Sequence, residues 1–123
     1  MRKRTGPVST FSEADLSRYM SIKIKQRNIL GWRMAIGGVL RSVKGKLIHT
    51  PNSLKGFPDW AGLYKAPGLI GKLWAAELKA PKGHVSIDQL VWHTALQKAG
   101  ATVVVLRSFE EIDSFLLSVA EGL

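Results

Sequence analysis

The 123 residues include no cysteine. That excludes disulfides, thiolate metal sites, zinc fingers and a cysteine nucleophile. Acids are scarce: 9 Asp and Glu stand against 18 Lys and Arg, a formal net charge of +9. A surface so basic suits polyanions, either nucleic acid or an anionic membrane. No segment approaches the roughly 18 apolar residues of a membrane span. The opening "MRKRTGPVSTFSEADL" is basic with no apolar run behind it, so no secretory signal is expected. The expected location is cytoplasmic, or a host cytoplasm if the chain is phage-encoded. Histidine is limited to His49, His84 and His93, singly placed, and no Ser-His-Asp arrangement stands out.

What is present describes one globular unit. Hydrophobic residues make up 46% and charged residues 22%, ordinary for a folded domain with a modest core. There is no internal repeat or low-complexity run. Residues 1–9 are expected to be a basic tail and 10–123 a single domain. Thr10, with Glu13 three residues on, predicts a capping box opening a helix that turns Leu16, Tyr19, Met20 and Ile24 to one face. "GWRMAIGG" reads as a short strand ending in a Gly-Gly break, and "VLRSVKGKLIHT" as a hairpin about Lys44-Gly45, followed by a loop over 51–56. "FPDWAGLY" and "GKLWAAELKA" are strands joined through a Pro67-Gly68 turn. "SIDQLVWHTALQKAG" is a helix with Ser86 as N-cap, Gln89 at the capping-box position and Gly100 at its stop. "ATVVVLR" predicts a strand covered on both faces, and a last helix from Ser108 buries Ile112, Phe115, Leu116 and Val119. The strand–helix–strand succession from Leu73 to Leu106 predicts a parallel pair, hence an α/β fold with a mixed sheet flanked by helices.

Two acids stand out because Asp59 and Glu77 fall in segments patterned as buried strands, where charge is rarely placed without a partner. If the hairpin is symmetric about Gly68, pairing Tyr64 with Lys72, Asp59 lies directly opposite Glu77. Opposed residues share a face, with Cβ atoms about 4.5–5.5 Å apart. The period of two adds Lys79 to that face and sends Trp74, Ala76 and Leu78 to the core. A register slip of one would separate the acids. Adjacent carboxylates repel unless compensated. A salt-bridge cluster with Lys79 is one compensation; a divalent cation is the other, and oxygen ligands without Cys or clustered His suit Mg²⁺ or Mn²⁺.

Pro58-Asp59 followed by Glu77-Leu78-Lys79 resembles the PD-(D/E)xK nuclease motif. With "GFPDW" and "AAELKAPKGHVSIDQLVWHTALQKAGATVVVLRS" around it, the chain resembles a VRR-NUC domain, the virus-type replication-repair nuclease group of that superfamily. The similarity runs from about Glu13 to the C-terminus and is most specific over 56–107; His84 stands where relatives often carry Arg. The resemblance implies a core order α-β-β-β-α-β with an extra C-terminal helix. It implies a metal-dependent DNA endonuclease, often a homodimer acting on branched or junction DNA such as a Holliday junction. Asp59 and Glu77 then bind Mg²⁺ or Mn²⁺ with the backbone carbonyl of Leu78, and Glu13 supports the metal through water. Lys79 orients or activates the attacking water and stabilises the transition state, and Gln89 matches the glutamine of the helix after the motif.

Several candidates carry a plain structural explanation as well. Glu13 and Gln89 both sit at capping-box positions. His93, four residues after Gln89 on the same helix face, borders the site. Trp32, Trp60, Trp74 and Trp92 are expected to pack the core. Lys55, Lys82, His84 and Arg33 are the candidate contacts to nucleic acid. The alternative functions are a non-cleaving basic DNA-binding module on the same fold, disfavoured by the intact acids and lysine, and a basic partner-binding domain, for which the acids would be an unexplained cost.

Overall fold

The computed structural model of the chain describes residues 11–34, 39–43, 46–50 and 54–122. The expected basic tail, Thr10, the Gly37-Gly38 break and the Lys44-Gly45 turn lie outside the described residues.

Helix α1, Glu13–Gln26, begins two residues later than the Thr10–Glu13 pattern predicts. Ser12 is its N-cap: the Ser12 hydroxyl accepts the Asp15 N–H, and the Asp15 carboxylate accepts the Ser12 N–H, both at 3.1 Å. The sequence holds two overlapping Ser/Thr-x-x-acid patterns, and packing selects between them. Phe11, just ahead of the cap, lies against Phe109 with ring centroids 4.1 Å apart. Glu13 is therefore the first helical residue and not a cap partner. As expected, Leu16, Met20 and Ile24 are the buried face of the helix.

Strand β1, Gly31–Arg33, is followed by the antiparallel hairpin of β2, Val39–Val43, and β3, Lys46–Thr50, which forms a separate two-stranded sheet. The chain then lays down β4, Trp60–Leu63, and β5, Leu73–Leu78. Helix α2, Ile87–Lys98, leads to β6, Thr102–Leu106, and helix α3, Phe109–Glu121, ends the fold. The main sheet has the order β1-β4-β5-β6, with the β1–β4 and β4–β5 pairs antiparallel and β5–β6 parallel. This is the expected mixed sheet and the expected core order, with the β2–β3 hairpin inserted between β1 and β4.

Alternation along β5 separates the two faces of the sheet. Trp74, Ala76 and Leu78 join Trp60, α1 residues Leu16, Met20 and Ile24, and α3 residues Ile112, Phe115, Leu116 and Val119 in one core. Burying an aliphatic or aromatic side chain of this kind contributes about 1.5–3 kcal/mol. Gly62 is required there: a Cβ on it would come within 2.4 Å of the Trp74 ring and 2.2 Å of the Leu30 carbonyl oxygen. The Tyr19 hydroxyl, donating to Asp113 at 2.8 Å, ties α1 to α3 on this side. Helix α2 lies on the other face, where its one buried residue, His93, meets Glu77.

Two expectations change. Strand β6 is an edge strand, and four of its five residues are only half-buried. Its unbroken valine run reflects the parallel pairing with β5 rather than cover on both faces. Trp60 and Trp74 are core residues and Trp92 is half-buried, but Trp32 is 41% exposed.

Candidate active site

The turn between β4 and β5 sets the site. The N–H of Tyr64 donates to Lys72 at 2.9 Å, and the ladder runs Leu63–Leu73, Gly62–Trp74, Ala61–Ala75, Trp60–Ala76. That register is the one symmetric about Gly68, so the residue before Trp60 falls opposite the residue after Ala76. Asp59 and Glu77 are neighbours across the two strands, as the sequence register requires. The Asp59 carboxylate reaches over to accept the N–H of Leu78 through Oδ2 at 2.8 Å.

Glu77 is almost fully buried, 1% exposed. Its Oε1 lies 3.4 Å from His93 Nε2. Burial, above all, raises its pKa to about 9; a hydrogen bond with Asp59 and the Asp59 charge push the same way, while Lys79 opposes them. His93 moves in the opposite direction: burial first, then the Lys79 charge, lower its pKa below the ordinary histidine range. At neutral pH neither group favours its charged form. The His93–Glu77 contact is therefore a neutral hydrogen bond and not an ion pair, despite its distance.

The two acids thus each commit one oxygen to the protein, Oδ2 of Asp59 to Leu78 and Oε1 of Glu77 to His93. A proton shared between the carboxylates relieves their repulsion. It holds the position in which a cation would do the same work. Among the described residues no group of three or more His, Cys, Asp or Glu is arranged to hold a metal. Two adjacent hard carboxylates, Glu77 buried and Asp59 half-buried, would fit a divalent oxygen-seeking ion that takes its remaining ligands from backbone and water. Leu78 ends β5 beside both acids.

Lys79 follows directly, half-buried, its N–H held by the Leu106 carbonyl at 3.1 Å. Its charge is felt at both Glu77 and His93. Glu13 is exposed at the start of α1, and its charge raises the Glu77 pKa slightly further. Gln89 is otherwise engaged: Oε1 accepts the Ser86 N–H at 2.8 Å while the Ser86 hydroxyl accepts the Gln89 N–H at 3.2 Å. It completes the capping box of α2.

The candidate nucleic-acid contacts scatter. Lys82 and His84 are exposed on the loop after β5, which Arg107 clamps by donating to the carbonyls of Ala80 at 3.1 Å and Gly83 at 2.7 Å. Lys55 is exposed and 3.6 Å from Asp88. Its loop is docked on α2, with Trp92 Nε1 donating to the Lys55 carbonyl at 3.0 Å and Phe57 packed edge-on to Trp92. Arg33 pairs with Trp60 and so belongs to the sheet face opposite the acids. Sequence patterning passed over the Arg107 clamp and the outward position of Trp32. Neither bears a motif, and only the β1–β4 register exposes the second.

A solved structure described as "VRR_NUC domain" superposes on this chain with a TM-score of 0.57, covering 86% of this chain and 96% of that one at 21% sequence identity. The chain has a VRR-NUC-type fold. No family model matches the sequence, and no curated protein matches it. The VRR-NUC-type architecture accounts for the mixed sheet between α1 and α3 on one side and α2 on the other. No helix among the described residues is long and apolar enough to cross a membrane.

Proposed function

We propose that this VRR-NUC-type domain is a divalent-metal-dependent DNA endonuclease acting on branched or junction DNA. The observation that carries the proposal is the Asp59–Glu77 pair followed by Lys79 on one face of that fold. A buried carboxylate whose pKa is pushed to about 9 is an expensive structural element. A metal-binding role explains why it is there.

In this proposal Asp59 and Glu77 hold Mg²⁺ or Mn²⁺ through their uncommitted oxygens, with the Leu78 carbonyl, and Glu13 contributes through water. Such an ion, when bound, would supply Lewis-acid chemistry to the phosphodiester and to the attacking water. The protein's residues do the rest. His93 and the Leu78 N–H fix the two carboxylates, Lys79 orients the attacking water and sets positive charge against the charge developing on the phosphate, and Gln89 acts through the helix it caps. Lys55, Lys82 and His84, with the overall charge of +9, draw in the DNA backbone; Arg33, on the other face of the sheet, has no part in this. A homodimer would bring two such sites to a symmetric junction. Ile87, Leu90 and Val91, which are 79%, 52% and 64% exposed on one face of α2, offer apolar surface for a second copy.

The test is cleavage of forked, four-way and linear DNA with Mg²⁺, Mn²⁺ or EDTA. Metal-dependent cutting that favours branched substrates is expected. Binding without cutting in any metal would instead favour the non-cleaving DNA-binding reading.

A further inference from the structure

The face of the sheet that carries the acids continues beyond them. Trp32 pairs with Ala61, Ala61 with Ala75, and Ala75 with Val103, so these four side chains form one row on one face. Asp59 and Glu77 belong to the next row of the same face, two residues along β4 and β5. The N–H of Met34 donates to the Asp59 carbonyl at 2.7 Å, which extends that second row to β1. Strand spacing and rise place the Trp32 Cα about 8 Å from that of Asp59 and about 12 Å from that of Glu77. Among the described residues the Trp32 indole makes no hydrogen bond and meets no other ring, and it is 41% exposed. The other three tryptophans are accounted for: Trp60 and Trp74 lie in the core and Trp92 anchors the 54–57 loop.

We infer that Trp32 is a stacking subsite for an unpaired nucleobase adjacent to the phosphate held at Asp59 and Glu77. This rests on the nuclease reading and deepens it. A strand whose phosphate lies over the acids brings a neighbouring nucleotide within the span of β1. A base there finds a flat, uncommitted indole, and every base has a π-face to offer it. A paired base is already stacked between its neighbours and gains nothing from the indole, so the subsite selects nucleotides freed from a duplex at a fork, flap or junction. The net charge of +9 supplies the attraction for the strand, and the indole supplies the preference.

The test measures binding in EDTA, where cleavage is suppressed, for the full chain and for Trp32→Ala and Trp32→Phe, using a labelled oligo(dT) and a blunt duplex hairpin. Trp32→Ala should bind oligo(dT) roughly 5- to 150-fold more weakly, the range for losing one base–aromatic stack, with duplex affinity nearly unchanged. Trp32→Phe should recover most of the oligo(dT) affinity. Oligo(dT) should also quench the intrinsic tryptophan fluorescence of the natural chain, and the quench should vanish in Trp32→Phe, a readout that holds even if Trp32→Ala fails to fold. Equal weakening for both DNAs, no weakening, or no quench overturns the subsite. If the natural chain still cuts DNA with Mn²⁺ in that case, the nuclease reading stands without it; if it neither binds nor cuts, both fall.

Discussion

The carboxylate of Asp59 accepts the backbone N–H of Leu78 at 2.8 Å, across the open end of the β4–β5 hairpin. This bond fixes one acid by the backbone of the residue that follows the other. From the far side His93 closes on Glu77 at 3.4 Å. The pair is held from both sides, with a proton on Glu77 where a cation would take over the compensation, and the predictions below start from that exchange.

The first concerns metal and protons. Glu77, with its pKa raised to about 9, carries a proton at pH 7 in the metal-free protein, and a metal ion must displace it. Titrating Mn²⁺ into the protein at pH 7 in buffers of different ionisation enthalpy should show close to one proton released per ion bound. EDTA should abolish cleavage. Full activity in chelator, or binding with no proton release, contradicts the assignment of Glu77 as ligand.

The second is the pH dependence of stability without metal. The folded pKa of Glu77, about 9, lies above its ordinary value of 4.5. Between those values the folded state holds a proton that the unfolded state has released, so stability falls as pH rises through the window. The contribution is complete below pH 4.5 and gone above about 9. Melting temperatures in EDTA should drop from pH 5 to pH 9, and Mn²⁺ should restore most at the alkaline end. Glu77→Gln, neutral throughout, should remove this part of the slope.

Most of this geometry was legible in the sequence because one turn decides it. Pro67-Gly68 centres the hairpin, period-two alternation assigns the faces, and Asp59 meets Glu77 as a consequence. The α2 and α3 caps at Ser86 and Ser108 were equally plain. The α1 start was not, since two capping patterns overlap and only the packing of Phe11 on Phe109 chooses between them. Nor was the edge position of β6, because a valine run reads alike in a central and a terminal parallel strand. Gln89 suits both a cap and a catalytic residue by type, and its Oε1 accepts the Ser86 N–H at 2.8 Å as a cap requires.

The third prediction concerns assembly. A branched duplex is large compared with a domain of 123 residues, and a symmetric junction presents two strands to cut. Light scattering at micromolar concentration should give the mass of a dimer. Val91→Glu, placed on the exposed face of α2, should shift the mass to the monomer and leave the melting temperature of the monomer intact. A monomeric mass for the natural chain with junction cleavage intact refutes the dimer.

The last prediction separates chemistry from architecture at the same site. Glu77→Gln keeps the shape of the side chain and its contact with His93 but removes the ligand charge. It should lose cleavage by orders of magnitude while the metal-free protein becomes more stable at pH 8, because no carboxylate is left to ionise in a buried place. Asp59→Ala should also lose cleavage, but it strands the Leu78 N–H and should cost about 1–3 kcal/mol; Asp59→Asn, which retains an acceptor, should recover much of that stability and none of the activity. Lys79→Ala removes the charge beside the reacting phosphate, so cleavage should collapse while DNA affinity, carried by many basic residues, changes little. Gln89→Ala is the contrast: loss of the capping box should cost roughly 0.5–2 kcal/mol, with cleavage by the folded protein largely retained. Cleavage, DNA affinity and thermal melting measured on all five variants decide the matter. If Glu77→Gln cuts DNA as well as the natural chain, the buried acid is structural and the endonuclease assignment is wrong.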